Sequence, residues 1–354
     1  MKKRFNLLAL VPVIAMTVVV LMTSSFAFAQ DAAPVALGEI TQRIIDRGEL
    51  ICGVNTGLAG FALLNDAGEY EGFDVDFCRA VAAAILGDAN AVSYRPLQAG
   101  ERQAAVQSGE VDMMSRNTTI TVSRDTTWGA SFMPVTFYDG QGLMVSTESG
   151  IAEIEELEGA SICVQSGTTT ELNLADAFDQ RGLSYTPQVF ADAASTWEGY
   201  LSGRCDAFTT DKSGLLAYQS TAEDPGAHTI LEITLSKEPL APVVPQSDSQ
   251  FADIVRWVIY AMIQAEEFGI TSENIDDYLT SDLPEIQRLL GTNDNSAGAY
   301  FGIPNDFVVT VIRQVGNYGE VFDRHLGPET VFNLDRGLNA LWTEGGLQYA
   351  PPFR

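Results

Sequence analysis

The stretch NTTITVSRDT, residues 117–126, gathers hydroxyls and an amide around one arginine, Arg124. A guanidinium presents a planar fork that grips a carboxylate through two parallel hydrogen bonds. Thr118, Thr119 and Thr121 add hydroxyls, and Asn117 adds an amide that both donates and accepts. A second stretch, QSGTTTEL (165–172), is a glycine-containing turn entering a helix. Free backbone N–H groups of Thr168 and Thr169 at such a helix start form an anion site. Capping by either threonine is the structural alternative, and it is compatible with ligand binding. A third stretch, CDAFTTD (205–211), ends in Asp211, a carboxylate suited to an ammonium group. Capping of the helix that follows, or neutralisation by Lys212, is an equal alternative for Asp211. Together these groups form one anion site in two halves and one cation site, the complement of a zwitterion.

An internal repeat positions them. LICGVN (50–55) recurs as SICVQS (161–166), and QSGEVDMMSRN (107–117) recurs as LSGRCDAFTTD (201–211). Gly109 and Gly203 read as helix caps before a strand whose far end is polar. Between the members of each pair lie a helix and a strand. These are FDVDFCRAVAAAILG with AVSYRPL in the first half, and TTTELNLADAFDQRG with TPQVFA in the second. Each half is therefore predicted as strand–helix–strand–helix–strand, an α/β pattern of two doubly wound, Rossmann-like lobes. Ligands of such sheets bind beyond the carboxyl ends of the strands. The repeat thus places Asn55, residues 116–124, residues 166–170 and Asp211 on facing rims of one cleft. Of three possible pairings among Cys52, Cys78, Cys163 and Cys205, it favours the intra-lobe pairs Cys52–Cys78 and Cys163–Cys205 without proving them.

Composition bounds the rest. MKKRF, an apolar run and TSSFAFAQ read as a cleaved leader at residues 1–29, and with it an exported protein. A membrane anchor is the alternative, and the Ala27-Phe28-Ala29 site disfavours it. Removing Lys2, Lys3 and Arg4 makes the formal charge of −27 more negative still, which argues against nucleic acid or an anionic membrane as partner. There is no CxxC, and the two histidines, His228 and His325, read as solvated side chains, so neither a metal nor a cofactor is expected. Pro239, Pro242 and Pro245 predict an irregular stretch at 234–248, followed by helices at 251–270, 283–291, 304–327 and 333–346. Trp257, Tyr260, Trp342 and Tyr349 read as packing residues of those helices.

The chain resembles the family 3 extracellular solute-binding proteins of ABC amino-acid importers, within them the general L-amino-acid-binding subgroup. GVNTGLAGF, GFDVDFCRAVAAA, VQSGEVDMMSRNTTITVSRDT, YDGQGLMV, VQSGTTTELNLAD, GRCDAFTTDKSGL, SKEPL and the tail from QVGNYGEVFDRHLGPET onward carry the resemblance. It implies a type II periplasmic binding protein with a two-strand hinge and extra C-terminal helices. The expected division is a first lobe at 30–143, a second at 144–239, and a return to the first from 240 to 354. The resemblance further implies that Arg124 grips the ligand α-carboxylate with Thr168 and Thr169. Thr119 contacts the ligand main chain, Asn117 lies near its amino group, and Asp211 takes the ammonium. Leu58 stands where many narrow-specificity relatives have an aromatic residue, leaving Phe61 or Tyr138 as candidates for that platform. Arg116, Asn55 and Gln141 are candidates for the side-chain pocket. The implied protein is a non-catalytic, monomeric periplasmic receptor that passes an L-amino acid to an inner-membrane ABC permease. A periplasmic dehydratase for prephenate- or arogenate-like substrates is the enzyme alternative, and a sensor acting through a separate membrane protein is a third.

Overall fold

After α1 (Glu39–Arg47) the chain enters β1 (Leu50–Asn55), almost wholly buried, as a strand covered on both faces must be. This computed structural model describes residues 35–293 and 296–354; the expected leader at 1–29 lies outside the described residues. A short hairpin, β2 (Leu63–Leu64) with β3 (Tyr70–Glu71), precedes α2 (Phe73–Leu86). Then come β4 (Val92–Leu97), α3 (Arg102–Ser108), β5 (Met113–Met114), α4 (Val122–Thr127) and β6 (Ala130–Phe132). β1 lies between β4 and β5 and runs parallel to both, which is the predicted first half of the repeat.

The second half folds the same way. β7 (Phe137–Ser146) leads to β8 (Ser161–Gln165), α5 (Thr169–Asp179), β9 (Thr186–Phe190), α6 (Ala193–Leu201), β10 (Ala207–Asp211) and α7 (Lys212–Ser220). β8 lies between β9 and β10, parallel to both. Gly109 and Gly203 occupy equivalent left-handed positions, at φ 71° and 73°, where a side chain would be strained. β11 (His228–Ile230) and β12 (Lys237–Leu240) then pair with β7, and β13 (Val243–Pro245) returns to the first sheet between β5 and β6.

The chain therefore crosses between the sheets twice, once after β6 and once after β12. Between the crossings, β7 and β12 form an antiparallel ribbon from Phe137↔Leu240 to Gly140↔Lys237. The expected division after residue 143 falls inside β7, whose pairing with β10 begins at Gln141. The proline-rich stretch at 234–248 is more regular than predicted, because it forms β12 and β13. Pro239 fits β12 because that strand pairs over four residues only, and the Pro239 carbonyl accepts from the Ile120 N–H at 2.9 Å.

α8 (Ser249–Glu267) begins at Asp248, whose side chain accepts from the Phe251 N–H at 2.9 Å. Its apolar face packs on α2 and on the C-terminal helices, in the larger of the hydrophobic cores. After it come α9 (Ile275–Tyr278), α10 (Pro284–Leu290), α11 (Gly298–Phe301), α12 (Phe307–Gln314) and α13 (Tyr318–His325). The helix predicted over 304–327 is two, split where Asn317 and Glu320 form a capping box. That predicted over 333–346 is only two 3-10 turns, Gly337–Asn339 and Trp342–Glu344, since Asn333 and Gly337 take positive φ. Trp342 and Tyr349 are not core residues: they are 50% and 57% exposed and meet edge-on at the surface. Both histidines are engaged rather than solvated. His325 Nε2 lies 2.8 Å from Asp76, and His228 Nδ1 lies 3.1 Å from the Tyr200 hydroxyl. Disulfides join Cys52 to Cys78 and Cys163 to Cys205, each within one half of the repeat. No helix among the described residues is long and apolar enough to cross a membrane.

Candidate functional site

The carboxyl ends of the parallel strands meet across a cleft of about 520 Å³, its open mouth included. Asn55 and Leu58 reach it from the end of β1, and Arg116, Asn117 and Thr119 from the segment after β5. Arg124 enters from α4. The opposite wall holds Thr168 and Thr169 at the start of α5 and Asp211 at the end of β10. Nine of the residues singled out from the sequence thus line one cavity; Thr121 and Thr118, which accepts from Arg102 Nη1 at 3.3 Å, do not. Gln141 does not; it lies beneath the wall, donating to the Thr170 carbonyl and the Thr209 hydroxyl, each at 2.9 Å. Neither candidate aromatic platform lines the cleft. Phe61 is packed into a cluster with Phe73 and Phe137, whereas Tyr218 of α7 supplies the aromatic wall.

Arg124 is held without being neutralised. Thr121 caps α4 by accepting from the Arg124 N–H, Nη1 donates to the Thr119 carbonyl at 2.9 Å, and the guanidinium lies 5.4 Å from the Trp128 ring centre. The side chain is 8% exposed, yet it forms no ion pair among the described residues. Burial pulls its pKa down, and the charges of Glu238 and Asp211 only partly oppose this. An arginine stays protonated regardless, so the shift reports a cation held at a cost.

Asp211 is its counterpart. It stands at the N-cap of α7, but its side chain makes no capping hydrogen bond. That task falls to Asp139, which accepts from the Ser213 N–H at 3.3 Å and from the Ser213 hydroxyl. Asp211 is left with one weak contact, from Asn117 Nδ2 at 3.4 Å. The Asn117 amide is oriented by Asn55, whose Nδ2 donates to its Oδ1 at 2.8 Å. Burial pushes the Asp211 carboxyl well above the usual range, and the neighbouring Asp139 and Glu238 push it further. The capping alternative for Asp211 is therefore not what the fold uses. Thr168, in contrast, does cap α5 by accepting from the Glu171 N–H at 3.2 Å.

Arg102 on the cleft wall, and Asp74 and Glu238 beneath it, were not singled out from the sequence. Arg102, 2% exposed, donates across the cleft to the Gly167 carbonyl at 3.2 Å. Its residues around it, ERQAAVQSGE, look like an ordinary exposed helix. Asp74 accepts from the Asn117 N–H at 2.9 Å, and burial raises it to about 7 despite that bond and the nearby Arg116. Arg116 itself, one of the residues singled out from the sequence, donates to the Leu97 carbonyl and is pulled down to about 10 by burial. Glu238, wholly buried on β12, accepts from Thr119 and from Thr169, which belong to opposite walls. The one available hint was an acid directly before the first of three closely spaced prolines in SKEPLAPVVP.

The chain is similar to known proteins. The chain is 52% identical over 309 residues to the general L-amino acid-binding periplasmic protein AapJ of Rhizobium johnstonii, covering 87% of this chain and 91% of that one. It is 48% identical to the glutamate/glutamine/aspartate/asparagine-binding protein BztA of Rhodobacter capsulatus, over 93% and 98% of the two chains. A solved ABC transporter periplasmic binding protein from Brucella ovis, with glutathione bound, superimposes with a TM-score of 0.87 at 49% identity, over 89% and 99% of the chains. The family model for bacterial extracellular solute-binding proteins, family 3, matches residues 50–274. The chain belongs to that family.

Proposed function

We propose that this protein is the periplasmic receptor of an ABC importer and captures L-amino acids between its lobes. One observation carries the reading: Arg124 and Asp211 face one cleft from opposite walls, each buried and neither in an ion pair among the described residues. Leaving a charge buried without a partner costs about 3–5 kcal/mol, and a zwitterion supplies both partners at once. Arg124 and the N–H groups of Thr168 and Thr169 take the α-carboxylate; Asp211 takes the α-ammonium. Asn55, Leu58, Arg116 and Tyr218 then surround the ligand side chain. This wall is mixed rather than shaped to one group, which supports broad specificity, as does the likeness to a relative named for general L-amino-acid binding. Closure bends the β7/β12 ribbon, with 30–143 and 240–354 moving against 144–239. The receptor acts as a monomer and delivers its cargo to an inner-membrane permease. The dehydratase alternative loses its ground, because no histidine lines the cleft and Asp211 is committed to the ammonium.

The test is calorimetry on protein unfolded and refolded with its disulfides intact, against the common L-amino acids, their D-isomers and decarboxylated amines. Many L-amino acids should bind, amines should not, and Arg124→Ala should abolish binding of all. Retained affinity in that variant would show that the carboxylate assignment is wrong.

A further inference from the structure

Glu238 lies on the hinge strand β12, and both walls of the cleft reach it. Its Oε2 accepts from the Thr119 hydroxyl at 2.6 Å and from the Thr169 hydroxyl at 2.8 Å. Its Oε1 accepts from Asn173 Nδ2 at 2.7 Å and from the Ser236 hydroxyl. Four donors converge on two oxygens, and an ionised carboxylate only accepts. A hydroxyl has one hydrogen, so those of Thr119 and Thr169 are both spent on Glu238. The 3.3 Å contact between the two hydroxyls therefore brings lone pairs, not a donor, toward one another. What Thr119 and Thr169 can show a ligand through their hydroxyls is acceptor character alone.

We infer that Glu238 is a positioning residue that turns these two cleft threonines into acceptors, so that the site selects ligands bearing an ammonium over acids that lack one. The inference rests on the amino-acid-receptor reading and adds to it a source of selectivity apart from Asp211. Thr119 precedes the β7/β12 crossing and Thr169 lies beyond it, so the shared oxygen also ties the two walls to the hinge strand. Without Glu238, either hydroxyl is free to donate to a carboxylate or carbonyl, and the preference for an ammonium weakens.

Glu238→Gln tests this, because an amide keeps one accepting oxygen but replaces the other with a donor. Binding of L-glutamate and of 2-oxoglutarate, its analogue without an ammonium, is measured on the whole mature protein near neutral pH. Wild type should prefer L-glutamate, and Glu238→Gln should narrow that preference by roughly tenfold, the size of one lost charge-assisted hydrogen bond. Equal loss for both ligands, or no loss, would overturn the inference, since a purely structural role weakens both alike. Thr119→Val provides a reading even if Glu238→Gln does not fold. Selective loss of L-glutamate supports the inference, and equal loss, as expected of a hydroxyl donating to the carboxylate, overturns it. Failure of the receptor reading is distinct: wild type would then bind no amino acid at all.

Discussion

Asp112 and Asp211 are both buried carboxylates at strand ends, and the protein treats them oppositely. Asp112, just before β5, receives Arg43 at 2.8 Å, Arg47, and the Ile51 N–H at 2.9 Å. Asp76 is served likewise by Arg79, Arg324 and His325. Asp211, at the end of β10, faces no cation within ion-pair reach among the described residues, and Arg124 across the cleft faces no anion. The lesson concerns which end of a sheet is being viewed. Where charge serves the fold, the chain supplies both signs itself. At the carboxyl ends of the strands it leaves one sign on each wall, a set that the proposed zwitterionic ligand would complete.

The sharpest way to break this comparison is to exchange the losses. Asp112→Ala should cost about 2–3 kcal/mol in chemical denaturation, by orphaning the Ile51 N–H and two arginines, while leaving ligand affinity unchanged. The figure lies toward the low end for a broken buried pair because Arg43 and Arg47 are 40% and 25% exposed, so water replaces part of the loss. Arg124→Ala should do the reverse, with stability within about 1 kcal/mol of wild type and no binding. A destabilised Arg124→Ala protein, or an Asp112→Ala protein that is stable but does not bind, would erase the distinction.

The fold was legible because its repeat is written twice, in strands of similar sequence and in glycines at matching helix ends. Arg124, Thr168 and Asp211 were legible because each lies at a boundary that the repeat exposes. Glu238 and Arg102 were hidden for a physical reason. Their burial arises from lobe closure and from the crossing of β12 behind the cleft, contacts distant in sequence that local pattern does not encode. Asp139 was hidden differently: its role, capping α7 in place of Asp211, needs the strand pairing of Asp211 with Gln141 to bring it near. The C-terminal segment at 333–346 misled because its apolar spacing is helical, whereas positive φ at Asn333 and Gly337 divides it.

Acidity gives a second test of smaller size. Burial raises Asp74 to about 7 and Asp139 to about 6, and holds Asp211 well above the ordinary carboxyl range. In the unfolded chain these groups release their protons near pH 4, so the folded protein binds more protons between about pH 4 and pH 7. Stability from these groups is therefore highest at the acid side of that window and falls as pH rises through the folded values. Glu156 and Asp206, with lowered pKa values, act in the opposite sense, but their contribution is lost only on further acidification. The melting temperature should thus fall by a few degrees, on the order of ΔΔG of 1 kcal/mol, from about pH 5 to about pH 7.5. A saturating L-amino acid should flatten the slope by pairing Asp211, as should Asp211→Asn without ligand. An identical slope with and without ligand would mean that the ammonium lies elsewhere.

The smallest effect should come from the back of the hinge. There the C-terminal segment holds the first crossing by its backbone. Asn339 accepts from the Tyr138 N–H at 2.7 Å and donates to the Tyr138 carbonyl at 3.2 Å, and the Tyr318 hydroxyl donates to the Thr136 carbonyl at 2.8 Å. These groups do not line the cleft and touch neither wall, so they differ from Glu238, which bonds a threonine of each wall. Asn339→Ala should leave the Tyr138 N–H without its acceptor and cost about 1 kcal/mol of stability. If the clamp also limits how the ribbon bends, affinity should change by roughly two- to threefold, about half a kcal/mol, read mostly as a changed dissociation rate. Lower stability with unaltered association and dissociation rates would reduce the C-terminal extension to a brace on one lobe and leave hinge control to the Glu238 side of the ribbon.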